Sequence, residues 1–354
     1  MDVNVVAGLQ SWLTARMAGA PAWLVNLLTE GVLGGAGIVV TFIPILAVFY
    51  AALGFLEDSG YLARAAYVMD RFMHFMGLHG KSFLPLFLGF GCNVPAVMGT
   101  RVIGSPGGRL LTILLAPLVP CSARLVVLAF LAPTFFGQAA LLVSWSLVSL
   151  NLLVLAVVGV LLSKTLFRGQ HTAFIMELPL YHLPNPRTIG AFIWNNIWAF
   201  LRKAGTLIVL ISVLIWALSS FPGTDVEQSY LAQFGRTLDP LGQLMGLDWR
   251  MIVALLSSFI AKENAIATLG ILYGTGEEVA GLAETMGSVV SPAAALSFLV
   301  VSMLFIPCVA TVAVMFQETR SWRWTVFSVL LLLGIALGAG IAVYQYAQWL
   351  GLGI

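Results

Sequence analysis

Eight apolar stretches, most of them at or above the roughly 20 residues needed to cross about 30 Å of hydrocarbon, limit what this chain can fold into more than any other feature. They run from Val32 to Leu56, Phe83 to Ile103, Leu110 to Leu131, Gln138 to Leu162, Phe200 to Phe221, Met251 to Tyr273, Pro292 to Phe316 and Trp324 to Leu350. The sequence therefore predicts an all-α, polytopic membrane protein with about eight transmembrane helices. Only 9% of its residues are charged and 60% are hydrophobic, against about 25% charged in a soluble domain. The net charge of +2, with no basic run interleaved with aromatics, excludes nucleic acid as a partner and leaves the lipid bilayer. Ahead of the first span, residues 1–30 carry Trp12, Arg16 and Trp23 in an amphipathic pattern that predicts an interfacial segment. Residues 31–163 then form a first membrane half, 164–199 a cytoplasmic linker and 200–354 a second membrane half.

Lys and Arg in short loops set orientation. Lys164, Arg168, Arg187, Arg202 and Lys203 face the single acid Glu177 between Ser163 and Lys203, which places that loop in the cytoplasm. Eight crossings then put both termini inside and the segment from Pro222 to Trp249, with Asp225, Glu227, Asp239 and Asp248, outside. Two loops oppose the rule: Arg64, Arg71 and Lys81 fall on the outer side, and the acidic stretch from Gly274 to Ser291 on the inner.

The halves look alike. Phe90-Gly91-Cys92-Asn93-Val94-Pro95 can be laid over Phe259-Ile260-Ala261-Lys262-Glu263-Asn264, and a Pro-Cys pair follows in each, Pro120-Cys121 and Pro307-Cys308. Interrupted helices in corresponding places of two halves point to a transporter site at the repeat interface. With eight crossings the second and sixth spans run the same way, so a parallel repeat is expected.

All three cysteines, Cys92, Cys121 and Cys308, sit beside breakers or polar groups within these spans. Pro95 withholds a backbone donor, so the Cys92 sulfur, the Asn93 side-chain oxygen and a bare carbonyl near Gly91 could converge on a cation. A packed cysteine beside a kink is the plainer alternative. Lys262, Glu263 and Asn264 form the most costly cluster, because adjacent residues point about 100° apart and the two charges each require a partner elsewhere. Glu263 is a candidate ligand, with Lys262 and Asn264 supporting it; a structural ion network is the competing reading. Thr311 shares a helix face with Cys308. Arg124 would repel a metal ion and is expected to pair an acid or cap carbonyls. Glu57 and Asp58 end the first span, where they could gather cations at a mouth or stand as a solvated helix end. Gly80-Lys81-Ser82 is not a phosphate-binding loop, since Phe75 replaces the required glycine. The chain is thus not expected to be an enzyme, and its histidines, His74, His79, His171 and His182, lack metal-ligand spacing.

These residues resemble the membrane portion of the ferrous iron transport protein B (FeoB) family with its paired Gate regions. The matching stretches include Leu56-Glu57-Asp58-Ser59-Gly60-Tyr61, Gly77-Leu78-His79-Gly80-Lys81-Ser82, Gly89 to Ala96 with Arg101, Pro120 to Leu125, Glu177 to Tyr181, Ala261 to Asn264 and Pro307 to Thr311. The resemblance implies Fe²⁺ uptake across the cytoplasmic membrane, with Fe²⁺ as transported substrate and no cofactor. Cys92, Cys121 and Cys308 are similar to the family's path-lining cysteines, and Gly91, Asn93, Pro95, Pro120 and Pro307 to its Gate positions. The family's N-terminal GTPase domain has no counterpart in this sequence, which implies either a separate cytoplasmic GTPase or an activity independent of nucleotide, with a small accessory protein and a homo-oligomer as further expected partners. A site of this kind could also take Mn²⁺, Co²⁺ or Zn²⁺. A nucleoside-type solute is another cargo, and a scaffold that moves nothing is the alternative outside transport.

Overall fold

The computed structural model describes residues 21–167, 184–206, 209–210, 213–214, 216–217, 229–273, 286–287, 289–349 and 351. The amphipathic segment up to residue 20, the Glu177–Tyr181 stretch with His171 and His182, and loop residues 222–228 and 274–285 lie outside these. Every regular element among the described residues is helical. In chain order the main helices are α1 (Gly34–Asp58), α2 (Tyr61–Phe75), α3 (Phe83–Gly89), α4 (Asn93–Gly99), α5 (Pro106–Leu115), α6 (Ser122–Phe136) and α7 (Ala140–Thr165). The second half continues with α8 (Pro186–Phe200), α9 (Tyr230–Thr237), α10 (Trp249–Ser257), α11 (Asn264–Leu272), α12 (Pro292–Leu304), α13 (Val309–Thr319) and α14 (Trp322–Trp349). Among the described residues, three stretches are long and apolar enough to cross a membrane: Pro106–Thr165, Pro292–Thr319 and Trp322–Trp349.

Local chemistry sets the helix starts. Pro106, Pro186 and Pro292 occupy first-turn positions, where a missing N–H costs nothing. The side chains of Asn185, Asp248 and Ser291 accept from Arg187, Met251 and Ala294 amides, satisfying donors that a helix start leaves orphaned. At Gly60 the chain turns from α1 into α2 with φ of 77°, a left-handed conformation that favours glycine.

Two of the expected spans double back instead of running straight. Phe83 to Ile103 doubles back as a hairpin of α3 and α4, whose seven-residue arms extend about 10 Å each. A methyl added at Gly99 would lie 3.2 Å from Leu88 Cδ1, whereas a straight helix would part these residues by about 16 Å. Met251 to Tyr273 does the same through α10 and α11: Tyr273 Oη donates to Asp248 Oδ2 at 3.0 Å, and the Ser257 and Thr268 hydroxyls meet at 2.7 Å. Polar residues inside both segments, Gly91-Cys92-Asn93 and Lys262-Glu263-Asn264, mark the hairpin tips.

The hairpins enter from opposite faces. One face holds the root of the first hairpin, where Arg101 and Arg109 pair with Glu318 at the end of α13, where Gly77 abuts Ser163 and where Phe167 stacks on Trp324. The other holds the root of the second, where Gly246 lies against the Tyr344 ring and Gly287 approaches the Thr134 carbonyl. Pro106–Phe136 therefore runs from the Arg101 face to the Asp248 face, and Pro292–Thr319 runs the reverse way. The repeat is inverted, correcting the parallel arrangement that eight crossings implied. The misfit loops follow from the same error. A segment counted as a crossing flips every later loop, and the hairpins return Arg64, Arg71 and Lys81 to the side of Lys164 and Arg187. By the same correction α14, starting beside Phe167, ends on the Asp248 face, opposite Lys164.

Packing of the second half is tight. Ser297 Oγ donates to the Gly340 carbonyl at 3.1 Å, and a methyl at Gly340 would sit 2.4 Å from Val301, so α12 and α14 approach at a distance only glycine allows.

Candidate functional site

The hairpin tips and the breaks between α5 and α6 and between α12 and α13 meet within the protein. Cys92, Cys121 and Cys308 each occupy the extended residue that starts a helix, α4, α6 and α13, with ψ of 132°, 163° and 156°. That position ordinarily goes to Ser, Thr, Asp or Asn. The cause is local at Val119, which precedes Pro120 and is forced to extended backbone, ψ 128°. Pro95 falls in the first turn of α4, where it starts the helix instead of kinking one.

Each tip is stitched to the break of its own half by the same bond. Ser122 donates to the Gly91 carbonyl through its amide at 3.2 Å and its hydroxyl at 2.8 Å. Val309 donates its amide to the Phe259 carbonyl at 2.7 Å. Ser122 and Val309 are the residues directly after the two Pro-Cys pairs, so the repeat seen in the sequence is a repeat of hydrogen bonds. The Gly91 carbonyl, expected to be bare, is thereby occupied. Asn93 is buried, and with its side-chain amide assigned by hydrogen bonding, nitrogen toward the two acceptors, it donates to the Ala116 and Gly89 carbonyls at 3.1 and 3.3 Å, closing the first tip.

Two buried cations hold the second break. Arg124, 1% exposed, donates to Pro117 O at 2.7 Å and to Phe305 O at 2.5 Å, tying the halves together. Lys262, 5% exposed, donates to Ile306 O at 2.5 Å and lies 5.2 Å from the Phe305 ring centre. Glu263 differs: its Oε2 is buried with no hydrogen-bond partner. Asn264 opens α11 beside it. The buried Thr311 hydroxyl lies 3.2 Å from Cys308 Sγ.

The three thiols are partly buried and unbridged. The Ser122–Gly91 bond sets Cys121 next to Cys92, the Lys262–Ile306 and Val309–Phe259 bonds set Cys308 against the second tip, and the Arg124–Phe305 bond joins the two breaks. The structure thus gathers Cys92, Cys121, Cys308, Glu263 and Lys262 into one neighbourhood. Among the described residues no three Cys, His, Asp or Glu side chains close into a metal cage.

Glu57 and Asp58 stand apart from this centre. They line an open cleft of about 270 Å³ with Gly54, Thr188, Ile189 and Phe192, and Asp58 Oδ2 accepts from the Asn185 amide at 2.6 Å. Desolvation in the cleft, followed by the neighbouring Asp58 charge, pushes the Glu57 carboxyl up.

Some residues were not singled out in the sequence. Glu318, whose side chain is 6% exposed, is gripped by Arg101 Nε at 3.1 and 3.0 Å, by Arg101 Nη2, and by Arg109 Nη2 at 2.6 Å. This clamp joins the turn after α4 and the first turns of α5 to the end of α13 on the Arg101 face. An acid near the end of an apolar stretch signals it only faintly, because its partners lie more than 200 residues away.

Comparison with known proteins gives this arrangement a family. The Gate family, described as nucleoside recognition, matches residues 39–135 and 201–322, and the ferrous iron transport protein B C terminus matches 144–196. The chain belongs to the FeoB family. The FeoB Fe(2+) transporter of Methanocaldococcus jannaschii is 40% identical over 319 residues, covering 87% of this chain and 47% of that protein. The Staphylococcus aureus (strain MSSA476) FeoB is 39% identical over 332 residues, covering 92% and 50%. A Porphyromonas gingivalis Fe(2+) transport protein A/FeoB fusion is 36% identical over 371 residues, covering 90% and 44%. The chain spans about half the length of the curated relatives it matches. No solved structure matches it.

Proposed function

We propose that this chain moves Fe²⁺ across the cytoplasmic membrane along a route that passes Cys92, Cys121 and Cys308. The observation that carries this reading is the meeting of the three thiols where two oppositely rooted hairpins and two broken helices come together. Half-helices meeting at the repeat interface are how inverted-repeat transporters build a midplane site, and arms of seven and nine residues, about 10 and 14 Å long, carry the two tips most of the way to the middle of a core about 30 Å thick. The iron named in the relatives' descriptions supplies the cargo.

In this mechanism the thiols, with the Glu263 carboxylate, replace part of the hydration shell of Fe²⁺. Asn93, Arg124 and Lys262 act on the protein instead, because their donors are committed to carbonyls of the tips and breaks. Gly91, Pro95, Pro120, Pro307, Asn264 and Thr311 shape the backbone around the thiols. Movement of one hairpin tip against its break releases the ion.

Orientation follows the positive residues. The Arg101 face, with Arg64, Arg71, Lys81, Arg109, Lys164 and Arg187, is cytoplasmic, which puts Asp239 and Asp248 outside. Trp349 then ends outside, revising the expectation that both termini are cytoplasmic, and Glu57 with Asp58 stands at the exit instead of the entrance. A GTPase unit and a small accessory protein would act on the cytoplasmic face, the second suggested by the fusion named in Porphyromonas gingivalis.

One observation favours a second cargo. Arg124, Lys262 and the positive ends of helices starting at the breaks suit an anionic or polar solute, and the Gate family is described by nucleoside recognition. Uptake into proteoliposomes decides between them. Labelled Fe²⁺ should enter, and Cys92→Ser and Cys121→Ser should each depress uptake while insertion stays intact. Normal iron uptake by both variants removes the thiols from the mechanism, and nucleoside uptake without iron uptake replaces the cargo.

A further inference from the structure

α4 and α13 carry two of the thiols at their starts and one clamp at their ends. α4 begins after Cys92 and α13 after Cys308, both run from the thiols toward the Arg101 face, and they pack against each other. Arg101, in the single turn that follows α4, donates to the Glu318 carboxylate through Nε at 3.1 and 3.0 Å and through Nη2, and Arg109 Nη2 donates to Glu318 Oε2 at 2.6 Å. Both carboxylate oxygens are thereby taken. Helical rise puts the clamp about 14 to 15 Å from the thiols along each helix, which is half the thickness of a core about 30 Å deep. Thiols at the midplane and a clamp at the membrane surface are therefore the two ends of one seam.

Glu318 stands on a fixed post. Arg320 closes α13 in a left-handed conformation, φ 49°, Thr319 Oγ1 donates to the Met315 carbonyl at 2.8 Å, and the Phe316 ring meets Trp322 of α14 edge-on at 5.5 Å. The arginine side is looser. The chain leaves the first hairpin through Gly104, where an added methyl would meet nothing within 4 Å, and the Arg101 and Arg109 side chains are 53% and 33% exposed against 6% for Glu318. Both ion pairs join the first half to the second, so the first hairpin cannot part from α13 without breaking them. While they hold, a cation leaving the thiols meets two guanidiniums and an acid already neutralised by them. Once they part, Glu318 is a free carboxylate at the exit.

We propose that Arg101, Arg109 and Glu318 form the inner gate of the route: the seam between α4 and α13 leads from Cys92 and Cys308 to the Arg101 face, and these ion pairs hold its end shut. The proposal rests on the transport reading for what passes, and on the ion pairs and the helix directions for where the gate lies. Opening is the swing of the first hairpin away from α13, which stays against α14.

Two experiments on the full chain in sealed vesicles of each sidedness test it. In the first, a membrane-impermeant maleimide is added and labelling of Cys92 and Cys308 is followed by peptide mass spectrometry. Glu318→Gln should raise labelling from the Arg101 face about tenfold, the factor that about 1.4 kcal/mol makes in an equilibrium between closed and open, and leave labelling from the opposite face unchanged. A variant that melts lower yet labels at the wild-type rate shows a structural clamp and overturns the gate. A rise from both faces alike shows a loosened fold and also overturns it. In the second, Arg101→Cys and Glu318→Cys are combined and bridged by a reducible bifunctional thiol reagent, with each single variant treated alongside. Bridging should cut labelled Fe²⁺ flux at least about tenfold beyond the single variants, and reductant should restore it; bridged protein that carries Fe²⁺ at the unbridged rate overturns the gate. Labelling that opens in Glu318→Gln while wild type moves no iron refutes the transport reading and leaves the opening at the clamp standing.

Discussion

Replacing Arg124 tests whether a buried charge is needed to hold the two halves together. The guanidinium donates to Pro117 O in its own half and to Phe305 O across the interface. Hydrogen bonds to charged groups contribute about 1.5–3 kcal/mol each, so Arg124→Met should cost about 3–6 kcal/mol. Buried ionic groups can often be exchanged for apolar ones when all partners are exchanged together. Here the partners are backbone carbonyls freed by the breaks before Pro120 and Pro307, and no substitution removes them. Arg124→Lys keeps the charge but cannot fork to both carbonyls, so it should lose one bond, about 1.5–3 kcal/mol. Thermal unfolding in detergent, followed by tryptophan fluorescence, should rank wild type above Arg124→Lys and Arg124→Lys above Arg124→Met. A Met variant as stable as wild type would refute the reasoning and leave Arg124 without a structural task.

Glu318→Gln removes the charge that Arg101 and Arg109 share and should lower stability by about 1–3 kcal/mol; the wild-type melting temperature should fall with added salt more than the variant's, because the arginines are partly exposed. Gly91→Ala places a methyl against Phe49 and should cost about 1–3 kcal/mol by overpacking, with Phe49→Leu restoring part of it in the double variant. Glu57 carries a raised carboxyl pKa, so the folded protein holds its proton above the ordinary value near 4.5. Stability should therefore decline as pH rises through the interval above that value, and Glu57→Gln should flatten the decline in melting temperature against pH.

The apolar stretches declared the helices and the membrane class, and the two Pro-Cys pairs declared the breaks, because prolines act on their immediate neighbours. Hairpin was confused with crossing for a physical reason. Phe83 to Ile103 has enough apolar length for either, and only the contact of Leu88 with Gly99 distinguishes them. The charges carried the missing information: Arg64, Arg71 and Lys81 on the wrong side were evidence against one of the crossings. The thiol residues were legible from their company of Gly, Asn and Pro. Glu318 and its arginines were hidden by sequence distance, which local pattern cannot bridge.

Whether sulfur touches the cargo is decided most directly by iron X-ray absorption on the reconstituted protein loaded anaerobically with Fe²⁺. Sulfur together with oxygen should appear in the first shell of the bound iron, and the sulfur should diminish in Cys92→Ser. A shell of oxygen and nitrogen alone, the same in wild type and in the variant, would contradict a route past the thiols.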